Sequence, residues 1–272
     1  MRSKNGRTTK DGIRIYEQAD FAGMHAAGAL AAQILDDIAA HVFVGQTTGE
    51  IDRLITAMVE EAGATSATIG YKGYQHASCI SINHVVCHGI PGEKKLKDGD
   101  ILNIDVTVIV DGWFGDTSRM YVAGKLPRKA ERLIQITHDA LMKGIEVVKP
   151  GNTFGDIGHA IQSYAEAQRV SVVRDFCGHG LGQVFHAPPN VLHYGRPGTG
   201  PTLEEGMFFT IEPMLNLGRP ETKVLADDWT AVTRDKSLSA QFEHSVGVTA
   251  DGVEIFTLSP GGLFHPTYNT ES

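Results

Sequence analysis

The sequence is short of the features that mark several large classes of protein. Its three cysteines, Cys79, Cys87 and Cys177, form no CxxC pair, which argues against a disulfide scaffold or a zinc finger and for a reducing compartment. Positive charge is in deficit, with 24 Lys and Arg against 32 Asp and Glu for a net charge of −8, so DNA is not expected as a partner. No run is long and apolar enough to span a bilayer, and no membrane partner is expected. Residues Met1-Arg-Ser-Lys-Asn-Gly-Arg7 are basic but lack the apolar core of a signal peptide. The expectation is a soluble, cytoplasmic chain. No low-complexity linker interrupts its middle, so the 272 residues read as one folded unit.

What is present is organised around Asn103-Ile-Asp-Val-Thr-Val-Ile-Val-Asp-Gly-Trp-Phe-Gly-Asp116. The β-branched run predicts a strand, and Asp111-Gly112 predicts a two-residue hairpin turn. With that turn, Val110 pairs with Trp113 and Thr107 lies opposite Asp116. Asp105 and Asp116 then emerge on one face as diagonal neighbours, about 7–8 Å apart at Cα. Two carboxylates aimed together from an apolar hairpin repel, so something positive is needed between them.

Along the chain, residues 1–11 read as a flexible basic tail. Leu30, Ile34, Ile38 and Val42 recur every four residues, predicting an amphipathic helix from about Glu17 to Val42. Thr47 with Glu50 is a capping-box pattern opening a second helix. A loop is predicted for 63–77, strands near 78–82 and 85–89, and the hairpin's return strand to Val122. A long helix is expected near 129–148, strands near 224–234 and 240–249, and an irregular tail over 259–272. Gly45-Gln-Thr-Thr-Gly-Glu-Ile-Asp-Arg-Leu-Ile55 is repeated as Gly151-Asn-Thr-Phe-Gly-Asp-Ile-Gly-His-Ala-Ile161, and Gly99-Asp-Ile-Leu-Asn-Ile-Asp105 aligns with Gly206-Met-Phe-Phe-Thr-Ile-Glu212. The internal repeat spans about 17–123 and 129–250. It predicts one α+β domain over 12–258, built of two pseudosymmetric halves whose carboxylate-ended strands meet in a shared crevice.

Glu212 ends the apolar run Met207-Phe-Phe-Thr-Ile211, where a lone carboxylate is expensive to bury. A solvent-turned strand end is the simpler reading, which the alignment with Asp105 weakens. Glu243 either faces the same crevice or is an ordinary edge-strand charge. His179, in Cys177-Gly-His-Gly180, is left accessible by its glycines, and His186 and His88 lie in comparable settings. The other nine histidines read as surface or locally satisfied. Four carboxylates and one imidazole suit two divalent first-row ions with bridging carboxylates better than a structural zinc. Such a pair, about 3.5–4 Å apart, activates water and polarises a carbonyl or phosphoryl oxygen. The residues alone therefore suggest a dinuclear hydrolase.

The ordered set Asp105, Asp116, His179, Glu212, Glu243 resembles the metal-binding pattern of the methionine aminopeptidases. The strings Cys87-His-Gly-Ile-Pro91, Gly115-Asp-Thr-Ser118, Cys177-Gly-His-Gly180, Phe209-Thr-Ile-Glu-Pro-Met214 and Gln241-Phe-Glu-His244 are similar to the type I branch. The resemblance implies the pita-bread fold, with two α/β halves around a central antiparallel sheet. It implies removal of the initiator methionine from nascent proteins with a small second residue, by metal-hydroxide attack on the first peptide bond. Asp116 and Glu243 would bridge both ions, Asp105 would hold one, and His179 and Glu212 the other. Co, Mn, Fe(II), Zn and Ni are all candidate metals. Glu212 would relay a proton, while His88 and His186 would hydrogen-bond the scissile peptide. Tyr71, Tyr74, Cys79, His88, Phe185, His186 and Trp229 would form the substrate pocket. Asn83, Val85 and Ser239 match a monovalent-cation site for Na or K.

Between His186 and Glu212 there is no room for the insertion of the type II branch, and only the short basic tail precedes the matching region. A monomer is expected. Lys94, Lys95 and Lys97 form a basic loop, read first as a solvated charge cluster and second as a point of transient ribosome contact. The competing readings are a proline-specific peptidase of the same fold and a non-catalytic pita-bread binding module.

Overall fold

A computed structural model describes residues 7–269. Among the described residues, four α-helices, α1 (Phe21–Ile38), α2 (Thr48–Glu61), α3 (Arg128–Glu146) and α4 (Phe154–Ala167), pack on strands whose pairings are all antiparallel. Hydrogen bonding divides the strands into four sheets. The helix expected from Glu17 to Val42 is α1 with a short 3-10 turn at each end. One core lies where α1 and α2 cover the first sheet, around Leu35, Ile51, Ile55, Leu102 and Ile104. The other gathers α3 and α4 over the second half, around Leu133, Leu141, Ile161, Phe209 and Leu215.

The duplication is visible in backbone geometry. Thr47 caps α2 and Thr153 caps α4, each in a reciprocal capping box with Glu50 or Asp156 three residues on. Such boxes satisfy backbone N–H groups that the first helical turn otherwise leaves unbonded. Beside each cap the same bonds recur. Leu96 N donates to Gln46 O at 2.8 Å, and Leu203 N donates to Asn152 O at 2.7 Å. The two repeat glycines that lead into the carboxylate-bearing strands, Gly99 (φ +85°) and Gly206 (φ +86°), both adopt left-handed backbone, which side-chain-bearing residues rarely tolerate.

The hairpin takes the expected register. Strands Asp100–Val110 and Trp113–Ala123 pair Val110 with Trp113 and Thr107 with Asp116. The strand expected over 224–234 is two short strands, Thr222–Val224 and Ala231–Thr233. Asp227 caps the turn between them by accepting the N–H groups of Trp229 and Thr230. The strand expected over 240–249 is likewise broken into Ser239–Gln241 and His244–Val248. The break falls at Phe242 and Glu243, because Glu243 leaves its own strand to bridge Ser118 of the hairpin.

Residues 1–6 of the expected flexible tail lie outside the described residues. Residues 7–11 are tied down: Ile15 N donates to Arg7 O at 2.7 Å, Thr9 N donates to Ile13 O at 2.8 Å, and Arg7 pairs with Glu204. The C-terminal segment carries neither helix nor strand over 259–269. It is docked by Ser259 on Asp36 and by Asn269 on the backbone of Val122. Residues 270–272 lie outside the described residues.

Candidate metal centre

The two halves are stitched together along the stretch that carries the acidic side chains. Glu243 N donates to Ser118 O at 3.1 Å, Thr117 Oγ1 donates to Glu243 O at 2.8 Å, and Ser245 Oγ donates to Asp116 O at 2.6 Å. Asn103 Nδ2 adds bonds to Ser118 Oγ and to Gln241 O. These short links fix Asp116, from the first half, beside Glu243, from the second. Both are almost fully buried, at 4% and 3% exposure.

Asp105, Asp116, His179, Glu212 and Glu243 all line one cavity of about 770 Å³. Ligand atoms of Asp116, His179 and Glu243 lie within 4.8 Å of one another. His179 Nδ1 lies 3.1 Å from Gly180 O. A backbone carbonyl can only accept, so Nδ1 carries the proton and the Nε2 lone pair is free for a ligand role. That Nε2 sits 3.5 Å from Asp116 Oδ2 and 3.7 Å from Glu212 Oε1, too far for good hydrogen bonds.

The electrostatics show why a cation fits this donor set. Burial first, and then Asp116 and Glu212, push the Asp105 carboxyl far above the usual carboxylate range. Glu243 is raised by burial, then by Asp116 and Glu212. Glu212 is raised by burial and Asp116, against the lowering pull of His179. Burial alone would lower His179, but its contacts with Asp116 and Glu212 raise it. Among the described residues lining the cavity, the one Lys or Arg is Lys72, which is exposed. Four inward carboxylates must therefore take up protons or cations. A mostly oxygen donor set with one nitrogen is the chemistry of divalent metal binding.

His88 and His186 line the same cavity. His88 adopts left-handed backbone (φ 55°) and packs edge-on to Phe176 with ring centroids 5.5 Å apart. The His186 ring stands 4.2 Å from that of His179. Burial lowers the pKa of both, with the charge of His179 also acting on His186. Neutral imidazoles are the result, each with one N–H to donate. Tyr71, Tyr74, Cys79, Phe185 and Trp229 line the cavity beside them, with Tyr74 and Trp229 ring centroids 4.8 Å apart.

Asn83, Val85 and Ser239 lie outside this lining. Ser239 N donates to Asn83 O at 2.9 Å, and the Asn83 amide is engaged by Asp100 and by Ile101 N.

Four supporting side chains lie outside the candidate set that the sequence offers. Thr107 Oγ1 donates to Asp116 Oδ1 at 2.7 Å, and Thr210 Oγ1 donates to Glu212 Oε1 at 2.9 Å. Both were readable, Thr107 from the hairpin register and Thr210 from the two-residue period of its strand. Gln241 Nε2 reaches Glu212 Oε2 at 3.3 Å, and His193 Nε2 accepts from Glu212 N at 3.1 Å. Gln241 stands at the same two-residue spacing from Glu243, whereas His193 has no local signal. His193 is fully buried, not the surface or locally bonded residue its sequence setting suggested.

Comparison with known proteins follows the same line. Residues 22–250 match Metallopeptidase family M24. The methionine aminopeptidase of Rickettsia prowazekii is 59% identical over 257 residues, covering 94% of this chain and 99% of that protein. A crystal structure of methionine aminopeptidase from Rickettsia prowazekii superposes with a TM-score of 0.90 at 60% identity, over 90% of this chain and 100% of that one. A prolidase from Pyrococcus horikoshii, 19% identical, shares the fold at a TM-score of 0.71 over 90% of this chain and 63% of its own. The architecture is the pita-bread fold, and the chain belongs to metallopeptidase family M24.

Proposed function

We propose that this protein is a methionine aminopeptidase of the type I kind, which removes the initiator methionine from nascent proteins whose second residue is small. The observation that carries the reading is the convergence of four carboxylates and one imidazole, from both halves of the duplication, on one cavity beside an aromatic and sulfur-bearing pocket. The names borne by its full-length relatives support it.

Asp116 and Glu243 would bridge two divalent ions, with Asp105 on one and His179 and Glu212 on the other. Co, Mn, Fe(II), Zn and Ni all suit such a set. When bound, the ions supply Lewis acidity that makes water nucleophilic near neutral pH and polarises a carbonyl. Glu212, held by Thr210, Gln241 and its own backbone bond to His193, would accept a proton from the attacking water and pass it to the leaving amine. His88 and His186 donate N–H groups to the scissile peptide and to the oxygen that gains charge. Tyr71, Tyr74, Cys79, Phe185 and Trp229 receive the methionine side chain, whose polarisable thioether suits aromatic and sulfur contacts. Asn83, Val85 and Ser239 would hold a monovalent cation.

The protein works as a cytoplasmic monomer in one catalytic domain over residues 12–258. The exposed Lys94, Lys95 and Lys97 are available for transient contact with the ribosome. The test is hydrolysis of Met-Ala-Ser, without hydrolysis of Xaa-Pro peptides, by protein supplied with Mn(II), Co(II) or Fe(II), abolished by a chelator. Cleavage of Xaa-Pro alone would identify a proline-specific peptidase, and cleavage of neither a binding module.

A further inference from the structure

The four carboxylates of the metal centre account for most of the charge in the 770 Å³ cavity. Two charged side chains that line it, Lys72 and Asp11, have no part in the chemistry described above. Each is exposed and sits on a hydrogen-bonded turn. The Tyr71–Gly73 turn is closed by Tyr71 N donating to Thr68 O at 3.0 Å and by Gly70 N donating to Tyr74 O at 2.7 Å. It carries Lys72 in left-handed backbone (φ 47°, ψ 30°) with its ammonium 5.3 Å from the Tyr71 ring centroid. That ring in turn lies 5.2 Å from His186.

The second turn runs from Thr8, which bridges Arg14. It is closed by Gly12 N donating to Thr9 O at 3.0 Å and by Thr9 Oγ1 accepting from Ile13 N at 3.2 Å. Its tip lies against the side chain of Pro188, two residues beyond His186; a Cβ built on Gly12 would stand 3.8 Å from Pro188 Cγ. Both turns therefore lie against the segment that begins at His186, beside the place where the first peptide bond would lie. Asp11 and Pro201 also line a neighbouring groove of about 500 Å³, which continues past Lys10, Thr9 and Arg7. The main cavity and this groove share Asp11 and Pro201 as lining, so a peptide longer than two residues that runs from one to the other passes the N-terminal turn.

We propose that these two turns read the charge of the peptide beyond its second residue, Lys72 receiving an acidic side chain and Asp11 a basic one. The inference rests on the aminopeptidase reading and adds a subsite to it. An exposed ammonium or carboxylate contributes modestly and is screened by salt. The effect therefore belongs in KM and is several-fold in size.

The experiment measures kcat and KM for metal-loaded protein on Met-Ala tetrapeptides carrying Asp, Ser or Lys at the third or fourth position. The readout is the ratio of kcat/KM for Asp over Lys within each variant, so that partial unfolding or metal loss cancels. Lys72→Glu should lower that ratio about fivefold or more at one position. Asp11→Lys should raise it at one position. Both changes should lie in KM and vanish near an ionic strength of about 1 M, where the screening length is about 3 Å. Ratios unchanged within a factor of about two in both variants, with Met-Ala-Ser still hydrolysed, overturn this inference and leave the proposed activity standing. Failure of the wild-type protein to hydrolyse Met-Ala-Ser removes the proposed activity and this inference with it.

Discussion

Replacing Asp116 by Asn separates a catalytic role from a structural one, because the two predict opposite signs in two assays. Asn keeps an oxygen to accept the 2.7 Å bond from Thr107, so packing and that bond survive. What disappears is one charge from a buried acidic cluster whose ligand atoms on Asp116, His179 and Glu243 lie within 4.8 Å of one another. Two carboxylate charges 4.8 Å apart repel by about 3.5 kcal/mol at an effective dielectric of about 20. Glu243 relieves part of that by holding its proton more tightly, and the loss of the attraction between Asp116 and His179 offsets a further part. A net gain of about 1–2 kcal/mol is therefore expected in metal-free protein, raising Tm by about 3–6 °C. Turnover should move the other way. Removing mere hydrogen-bond partners of metal ligands costs about 10–100-fold in metal affinity or activity, so losing a ligand shared by both ions should leave less than about one-hundredth of the rate. The assays are Met-Ala-Ser hydrolysis with metal in excess and thermal melting after chelation. A variant that melts below the wild type without metal would mean that the carboxylate holds the fold together. Retention of a tenth of wild-type turnover would show that Asp116 is not shared between ions.

Three further substitutions probe the surroundings. His88→Ala should lower turnover about a hundredfold, by analogy with loss of one donor to a developing oxyanion, while metal content by elemental analysis stays at the wild-type level; metal loss would mean that His88 is itself a ligand. Thr107→Val removes the hydroxyl bonded to Asp116 and should weaken metal affinity about tenfold in a competition titration, and unchanged affinity would discount the support assigned to it. Asp36→Ala strips the partner from Arg119, which is 3% exposed on its side chain. Leaving that guanidinium buried without its carboxylate, beside only Ala32 O at 3.5 Å and the Tyr268 ring, should cost about 3–5 kcal/mol, seen as a Tm about 10 °C lower; an unchanged melting curve would contradict the pairing.

Much of this is legible in the sequence. The hairpin register followed from Asp111-Gly112 and a β-branched run, since a two-residue turn leaves one pairing that keeps side-chain alternation intact. The capping boxes at Thr47 and Thr153 follow from local hydrogen bonding alone, which depends on residues three apart. Glu243 illustrates the limit. Its alternation with Phe242 read as a continuous strand, but bonding to Ser118 across the molecule outweighs the local preference and breaks the strand there. Residues 7–11 erred the other way, for polar composition says nothing of a backbone bond to Ile15 or a salt bridge to Glu204.

The sequence by itself determined which side chains have the chemistry to hold metal and that two related halves supply them. Residue type, short-range periodicity and a repeat are properties of the chain alone. Only the tertiary structure decided that Asp116 and Glu243 are neighbours, that buried His193 braces the backbone of Glu212, and that Lys72 and Asp11 line the same cavity. Those arrangements come from contacts between residues far apart in the chain. They are selected by packing two hydrophobic cores against a shared seam, a choice that no local pattern of residues encodes.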